Sequence, residues 1–175
     1  MNNKIKWALL FSLFIGLFAA SANAISIKDV NQKFDTPKYR NLAVYSQRAI
    51  LVDDIENENK VKVLVAFASW CPSCKDYMDE LNKIAKNTDV EIYGVAVSDN
   101  PSAVRDLFNK VGNPFSFVSI DKKGKTLLQN SSSKSIPQTF LIDKKGNIRY
   151  TLLGDLDEKD WEDDLMPRYN ELNRE

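Results

Sequence analysis

An apolar run, Val61 to Ala68, leads straight into Ser69-Trp70-Cys71-Pro72-Ser73-Cys74. Val61, Val63, Leu64, Val65, Ala66 and Phe67 leave almost no polar position for solvent, the pattern of a strand buried on both faces. Pro72 suits the first turn of a helix, where the N–H that proline lacks would be unbonded anyway. A strand covered on both sides and passing directly into a helix belongs inside a sheet whose neighbours are joined by helices.

The downstream pattern continues this theme. The helix opening at Pro72 is predicted to turn Met78, Leu81, Ile84 and Ala85 inward. Val90 to Val97 reads as a second buried strand. Asn100 is placed to cap a helix with Pro101 in its first turn and Val104, Leu107, Phe108 and Val111 as its apolar stripe; Gly112-Asn113-Pro114 ends it. Thr139–Ile142 and Ile148–Leu153 flank Asp143-Lys144-Lys145-Gly146-Asn147 and predict a hairpin. A last helix, Glu158 to Asn173, aligns Trp161, Leu165, Tyr169 and Leu172, with Pro167 expected to kink or split it. Ile-Asp-Lys-Lys-Gly occurs at 120–124 and 142–146 and reads as two similar turns rather than a repeat. The expectation is an α/β fold, a central mixed sheet flanked by helices, spanning residues 58–175.

Residues 1–24 are a different material. Lys4 and Lys6 precede an uncharged, mostly apolar stretch, Trp7 to Ala20, and Ala22-Asn23-Ala24 closes it with small residues. This is the layout of a secretory signal peptide, with cleavage expected after Ala24. An uncleaved membrane anchor is the alternative, although the stretch is shorter than the roughly 20 residues a spanning helix needs. Residues 25–57 form an N-terminal extension with a turn at Asp35-Thr36-Pro37, a helix or strand within Leu42–Val52, and a charged loop over Asp53–Lys60. The chain carries 24 basic and 24 acidic residues, so no basic excess points to nucleic acid.

Cys71 and Cys74 are the only cysteines, and there is no histidine. In an exported protein a structural disulfide is the plain alternative to redox chemistry. Magnitude argues against it: closing a four-residue loop stabilises a fold by only about 2 kcal/mol, against about 3 for a fifteen-residue loop. Two thiols without histidine are too few ligands for a metal site in one chain, and Ala68 stands where a peroxidase would want a hydroxyl. No metal and no cofactor are expected. Thiol–disulfide exchange remains. Cys71, at the start of a helix, lies in the partial positive charge of unpaired N–H groups, which favours its thiolate. Cys74, one turn later, faces inward and resolves the mixed disulfide. Neither Pro72 nor Ser73 is charged, and no histidine stabilises the reduced form, so a reductant is predicted. Trp70 is expected to cover one side of the site.

Phe67-Ala68-Ser69-Trp70-Cys71-Pro72-Ser73-Cys74 and Ile136-Pro137-Gln138-Thr139-Phe140-Leu141-Ile142-Asp143, followed by Gly146, resemble the thioredoxin superfamily and within it the TlpA-like exported proteins. Gly112-Asn113-Pro114-Phe115, Asn147-Ile148-Arg149-Tyr150, Gly154-Asp155-Leu156 and Trp161 with Pro167 resemble the DsbE (CcmG) branch, the thiol:disulfide interchange proteins of cytochrome c maturation. The likeness covers residues 61–175. It implies a thioredoxin-like fold, a cis peptide bond before Pro137 packed against the disulfide, and an Ile136 backbone that pairs with a substrate strand. It further implies a periplasmic monomer that takes electrons from a membrane donor of DsbD or CcdA type. Its protein substrates would be disulfide-bearing, with apocytochrome c among them. A general exported thiol reductase or oxidant with another client is the alternative. The chain departs from the branch at Tyr77 and Gln138, where acids are usual, at Val65, where thioredoxin has a buried acid, and in Ser131–Ser135, which replaces a glycine-rich approach to the proline. Asp76 does not share the helix face that would let it substitute for those acids.

Overall fold

A computed structural model describes residues 26–33, by backbone alone, together with 59–124 and 133–175. The leader, the Leu42–Val52 segment and Ser131–Ser132 lie outside the described residues. The elements run β1 (Ser26–Lys33), β2 (Lys62–Phe67), α1 (Pro72–Asn87), β3 (Ile92–Val97), α2 (Pro101–Val111), β4 (Phe117–Asp121), β5 (Gln138–Ile142), β6 (Asn147–Leu153) and a C-terminal helix in three parts. Those parts are α3 (Glu158–Asp160), a π-helical turn (Trp161–Leu165) and α4 (Met166–Arg174).

The six strands lie in the order β1-β6-β5-β2-β3-β4. β2 pairs in parallel with β3 and antiparallel with β5, and β3 pairs in parallel with β4. β5 and β6 form the expected hairpin, and β1 adds antiparallel to β6. The sheet is therefore mixed, with helical crossovers joining the parallel strands and a tight turn joining β5 to β6. β1 and β4 were not legible in the sequence. β4 is short and follows a turn that contains Pro114. β1 carries Lys28, Asp29, Gln32 and Lys33, an edge-strand composition without a strong apolar pattern.

β2 is buried along its whole length, as its composition requires. Its alternate side chains divide the core. Val63, Val65 and Phe67 join α1 (Met78, Leu81), α2 (Val104, Leu107, Phe108) and the C-terminal helix (Trp161, Leu165, Leu172). Leu64 and Ala66 join Tyr93, Val95, Phe140 and Ile142 on the opposite face. At the carboxyl end of β2, Phe67 stacks on Phe115 at a centroid distance of 4.9 Å, and Phe108 closes the cluster at 5.8 Å from Phe67. Gly94 makes this possible: an added Cβ would sit 2.9 Å from the Phe115 ring. Ala85 and Val111, expected inward, lie at the margin of the core and are partly buried.

The helix ends follow from local chemistry. The Asn100 side chain accepts a bond from Ala103 N at 3.0 Å, and Gly112, at φ +86°, follows the last turn of α2. Asn82 of α1 reaches across to donate to the Val111 carbonyl at 2.8 Å, tying the two helices together. Pro167 acts one turn upstream of itself: the Met166 N–H bonds the Trp161 carbonyl, five residues back, and the helix widens into a π turn instead of breaking. Among the described residues no helix is long and apolar enough to cross a membrane.

Candidate active site

The site forms where β2 ends and α1 begins. The chain turns through Ser69 and Trp70, with Cys71 N donating to the Ala68 carbonyl at 3.2 Å. Cys71 is itself the N-cap of α1: its sulfur accepts a bond from Cys74 N at 3.3 Å, and Pro72 occupies the first turn. A cysteine thus stands where serine or aspartate usually caps a helix, so the helix N–H groups point at its sulfur. Cys71 and Cys74 are joined in a disulfide, with Cα atoms 5.3 Å apart. Cys71 is 5% exposed and Cys74 is fully buried. Ser73 Oγ lies 3.4 Å from Cys71 Sγ.

The predicted surrounding residues converge here. Trp70 is 59% exposed, and its indole N–H donates to the Ser98 carbonyl at 3.2 Å, so the ring stands beside the cysteines as surface rather than core. Pro72 is exposed and Ser73 half-buried. The Ile136–Pro137 peptide bond is cis, as the resemblance implied. The Ile136 carbonyl oxygen lies 3.9 Å from Cys71 Sγ. Pro137 is buried, and its carbonyl accepts from Gly154 N at 3.1 Å, anchoring this segment to the end of β6.

The two positions that depart from the branch are both inside. Tyr77 is buried on α1 and its phenol is hydrogen-bonded to the Thr139 hydroxyl of β5. Burial pushes the phenol well above the ordinary tyrosine range; the Thr139 bond opposes this and the charge of Asp155 adds to it. Tyr77 is therefore neutral where an acid would titrate. Gln138, which pairs with Ala66 in the sheet, is fully buried, and neither atom of its amide has a partner among the described residues. Strand alternation puts Gln138 on the face opposite Thr139 and α1.

Sequence reasoning missed one group. Asp99, in the β3–α2 connection, is only 8% exposed. Its carboxylate accepts from Ser69 N at 2.6 Å, from Ser69 Oγ at 2.9 Å and from Asn100 N at 2.8 Å. In Ser98-Asp99-Asn100-Pro101 the helix cap is the visible signal. That the residue before the cap turns back to hold the cysteine loop has no local signature.

The redoxin family description matches residues 41–165. The thiol:disulfide interchange protein DsbE of Vibrio cholerae is 30% identical over 181 residues, covering 98% of this chain and 97% of its own length. The protein of that name in Pseudomonas aeruginosa is 32% identical over 139 residues, covering 79% of this chain and 73% of its own length. A secreted thiol-disulfide isomerase of Corynebacterium glutamicum, 20% identical, superposes with a TM-score of 0.60 over 86% of this chain and 90% of its own, a likeness of fold. The chain belongs to the redoxin family, among the DsbE thiol:disulfide interchange proteins, and its Cys71–Cys74 pair makes it a thiol–disulfide oxidoreductase.

Proposed function

We propose that Cys71 is the attacking sulfur and Cys74 the resolving one in a periplasmic reductase of cytochrome c maturation. The observation that carries this reading is the asymmetry of the pair. Cys71 caps α1 beside exposed Trp70 and the Ile136 carbonyl, whereas Cys74 is sealed beneath it. In the reduced protein the Cys71 thiolate attacks a substrate disulfide. One S–S bond forms to Cys71, the substrate bond breaks, and the departing substrate sulfur takes up a proton. The Cys74 sulfur, having lost its proton, then attacks Cys71 Sγ. The Cys71–Cys74 disulfide forms, and the substrate leaves with both sulfurs reduced; two electrons have passed to it. A substrate segment lying along Ile136–Pro137 would be held by backbone bonds, with Trp70 and Pro72 as its apolar flank.

The substrates are disulfide-bearing proteins, and the family resemblance directs the choice to apocytochrome c or the proteins that handle it. Residues 1–24 act as the export signal, or as an inner-membrane anchor where they are retained. Residues 25–57 precede a thioredoxin-like domain over 58–175, and the protein works as a monomer. A membrane thiol donor of DsbD or CcdA type restores the dithiol. Trapping tests the reading. A Cys74→Ser variant cannot resolve the mixed disulfide and should hold its client on Cys71, where mass spectrometry identifies it. Recovery of a protein with a haem-attachment C-x-x-C-H motif, or its handling partner, supports the reading; recovery only of other clients points to a general exported reductase.

A further inference from the structure

The loop that presents Cys71 is held from outside itself. Two consecutive residues of the β3–α2 connection grip two consecutive residues of the active-site turn. The Ser98 carbonyl takes the Trp70 indole N–H, and the Asp99 carboxylate takes both the amide and the hydroxyl of Ser69. The grip has its own support. Ser98 sits at φ +51°, its N–H bonds the Asp121 carbonyl at 2.8 Å, and the same carbonyl receives Gly124 N at 3.0 Å. A side chain at Gly124 would collide with Ser98 Oγ, so the β4 turn, the β3–α2 connection and the cysteine loop are packed in series.

Asp99 brings charge as well as geometry. Its carboxylate bonds a backbone N–H two residues ahead of the sulfur that caps α1. The other charged groups on the surrounding elements are Lys75 and Asp76 of α1, Arg105 and Asp106 of α2, Asp121, Lys122 and Lys123 at the end of β4, Lys134 before the cis-proline and Asp155 after β6. All but Asp121 are exposed to solvent, which screens them; Asp99 and Asp121 are buried, and it is the Asp99 carboxylate that bonds the cysteine loop. The helix amino end favours a thiolate at Cys71, and a fixed negative charge nearby opposes it. A less stabilised thiolate means a less stabilised reduced form, and so a stronger reductant.

We infer that Asp99 is a positioning residue for Cys71, clamping the Ser69 end of the cysteine loop and, through its buried charge, poising the pair toward reduction of substrates. The inference rests on Cys71 being the attacking sulfur. Two neutral variants, Asp99→Asn and Asp99→Ser, each keep an oxygen to accept the Ser69 amide. Ser69→Ala loses the hydroxyl bond and keeps the charge.

The experiment equilibrates each protein with a glutathione buffer. It also follows alkylation of Cys71 against pH in the Cys74→Ser background. Removing the charge should shift the equilibrium about threefold toward the reduced protein and lower the apparent Cys71 pKa by about half a unit. Ser69→Ala should move both by less. An unchanged equilibrium in a folded neutral variant overturns the inference. So does an equal shift in Ser69→Ala, which would assign the effect to loop geometry. Failure of both neutral variants to fold would reduce Asp99 to a structural clamp and overturn it too. If Cys71 traps no client and resists alkylation in the otherwise wild-type sequence, the underlying assignment of the attacking sulfur fails instead.

Discussion

Two buried aspartates hold the two ends of the sheet, and they draw their partners from opposite directions. Asp143, at the β5–β6 turn, accepts from Lys145 N at 2.9 Å, from Asn147 N at 2.8 Å and from the Asn147 side chain, all within four residues. Arg149 adds a contact at 3.5 Å and continues to Glu175 at 2.7 Å, pinning the end of the C-terminal helix to the hairpin. Asp99, at the cysteine end, takes one bond from its neighbour Asn100 and two from Ser69, thirty residues away in sequence. The hairpin end is a self-contained turn that folds on local terms. The cysteine end exists only when β2 and β3 are side by side. A redox site built this way is assembled by the fold; at the same end of the sheet but on the opposite face, the Gln138 amide lies buried with no partner among the described residues.

Substitutions at the two ends should separate chemistry from stability. Cys71→Ser is expected to abolish disulfide reduction in an insulin assay while leaving the fold intact. Asp143→Ala should do the reverse, costing about 3 kcal/mol in urea unfolding because several bonds to a charged group are lost together, with the rate per folded molecule preserved. Equal damage to activity by both would erase the contrast between the ends.

The pH dependence sharpens it. Burial works against the charged form of Asp143, yet bonds from Asn147, Lys145 and Arg149 outweigh this and hold its carboxyl below the ordinary aspartate range. A carboxyl depressed on folding adds stability that is present above its unfolded pKa, about 3.9, and is lost as pH falls through the folded value. The stability gap between wild type and Asp143→Asn should therefore be full at neutral pH and close on acidification. A gap that stays constant down to pH 2 would contradict the charge-assisted turn.

Smaller effects are expected from the buried polar groups near the cysteines. Gln138→Met should raise stability by about 1 kcal/mol, since it removes an amide that burial leaves unsatisfied. A loss instead would reveal a partner for that amide. Tyr77→Phe should cost about 1 kcal/mol through the lost bond to Thr139. Because burial raises the Tyr77 pKa above its ordinary value of 10.0, wild type should lose stability as pH rises past that point, where the unfolded phenol ionises. The Phe variant should lack that loss, and denaturation curves at pH 9 and 11 measure it.

Much of this protein was readable before folding because its signals are local. The buried run of β2, the proline-opened helices, the Asn100 cap and the Asp143 turn each depend on residues within a few positions of one another. The Cys-x-x-Cys spacing alone favoured redox chemistry over a staple. The cis bond before Pro137 came from family resemblance and not from the residues themselves, since an isolated X-Pro sequence favours trans. β1 was missed because weak apolar patterning becomes a strand only when a neighbouring edge offers hydrogen bonds, and β4 because five residues are too short a run to stand out.

From its sequence alone the chain determined which atoms react: a pair of thiols one helical turn apart, the first at a helix amino end. Tertiary structure decided what surrounds those thiols. Only the packed sheet brings the Asp99 carboxylate to Ser69, the Ile136 carbonyl to within 3.9 Å of Cys71 and the Tyr77 phenol to Thr139. The reason is one of range. Helix capping and turn chemistry act over a few residues and are written in their order, whereas burial and charge at a site are contributed by segments that meet only after the chain has closed on itself.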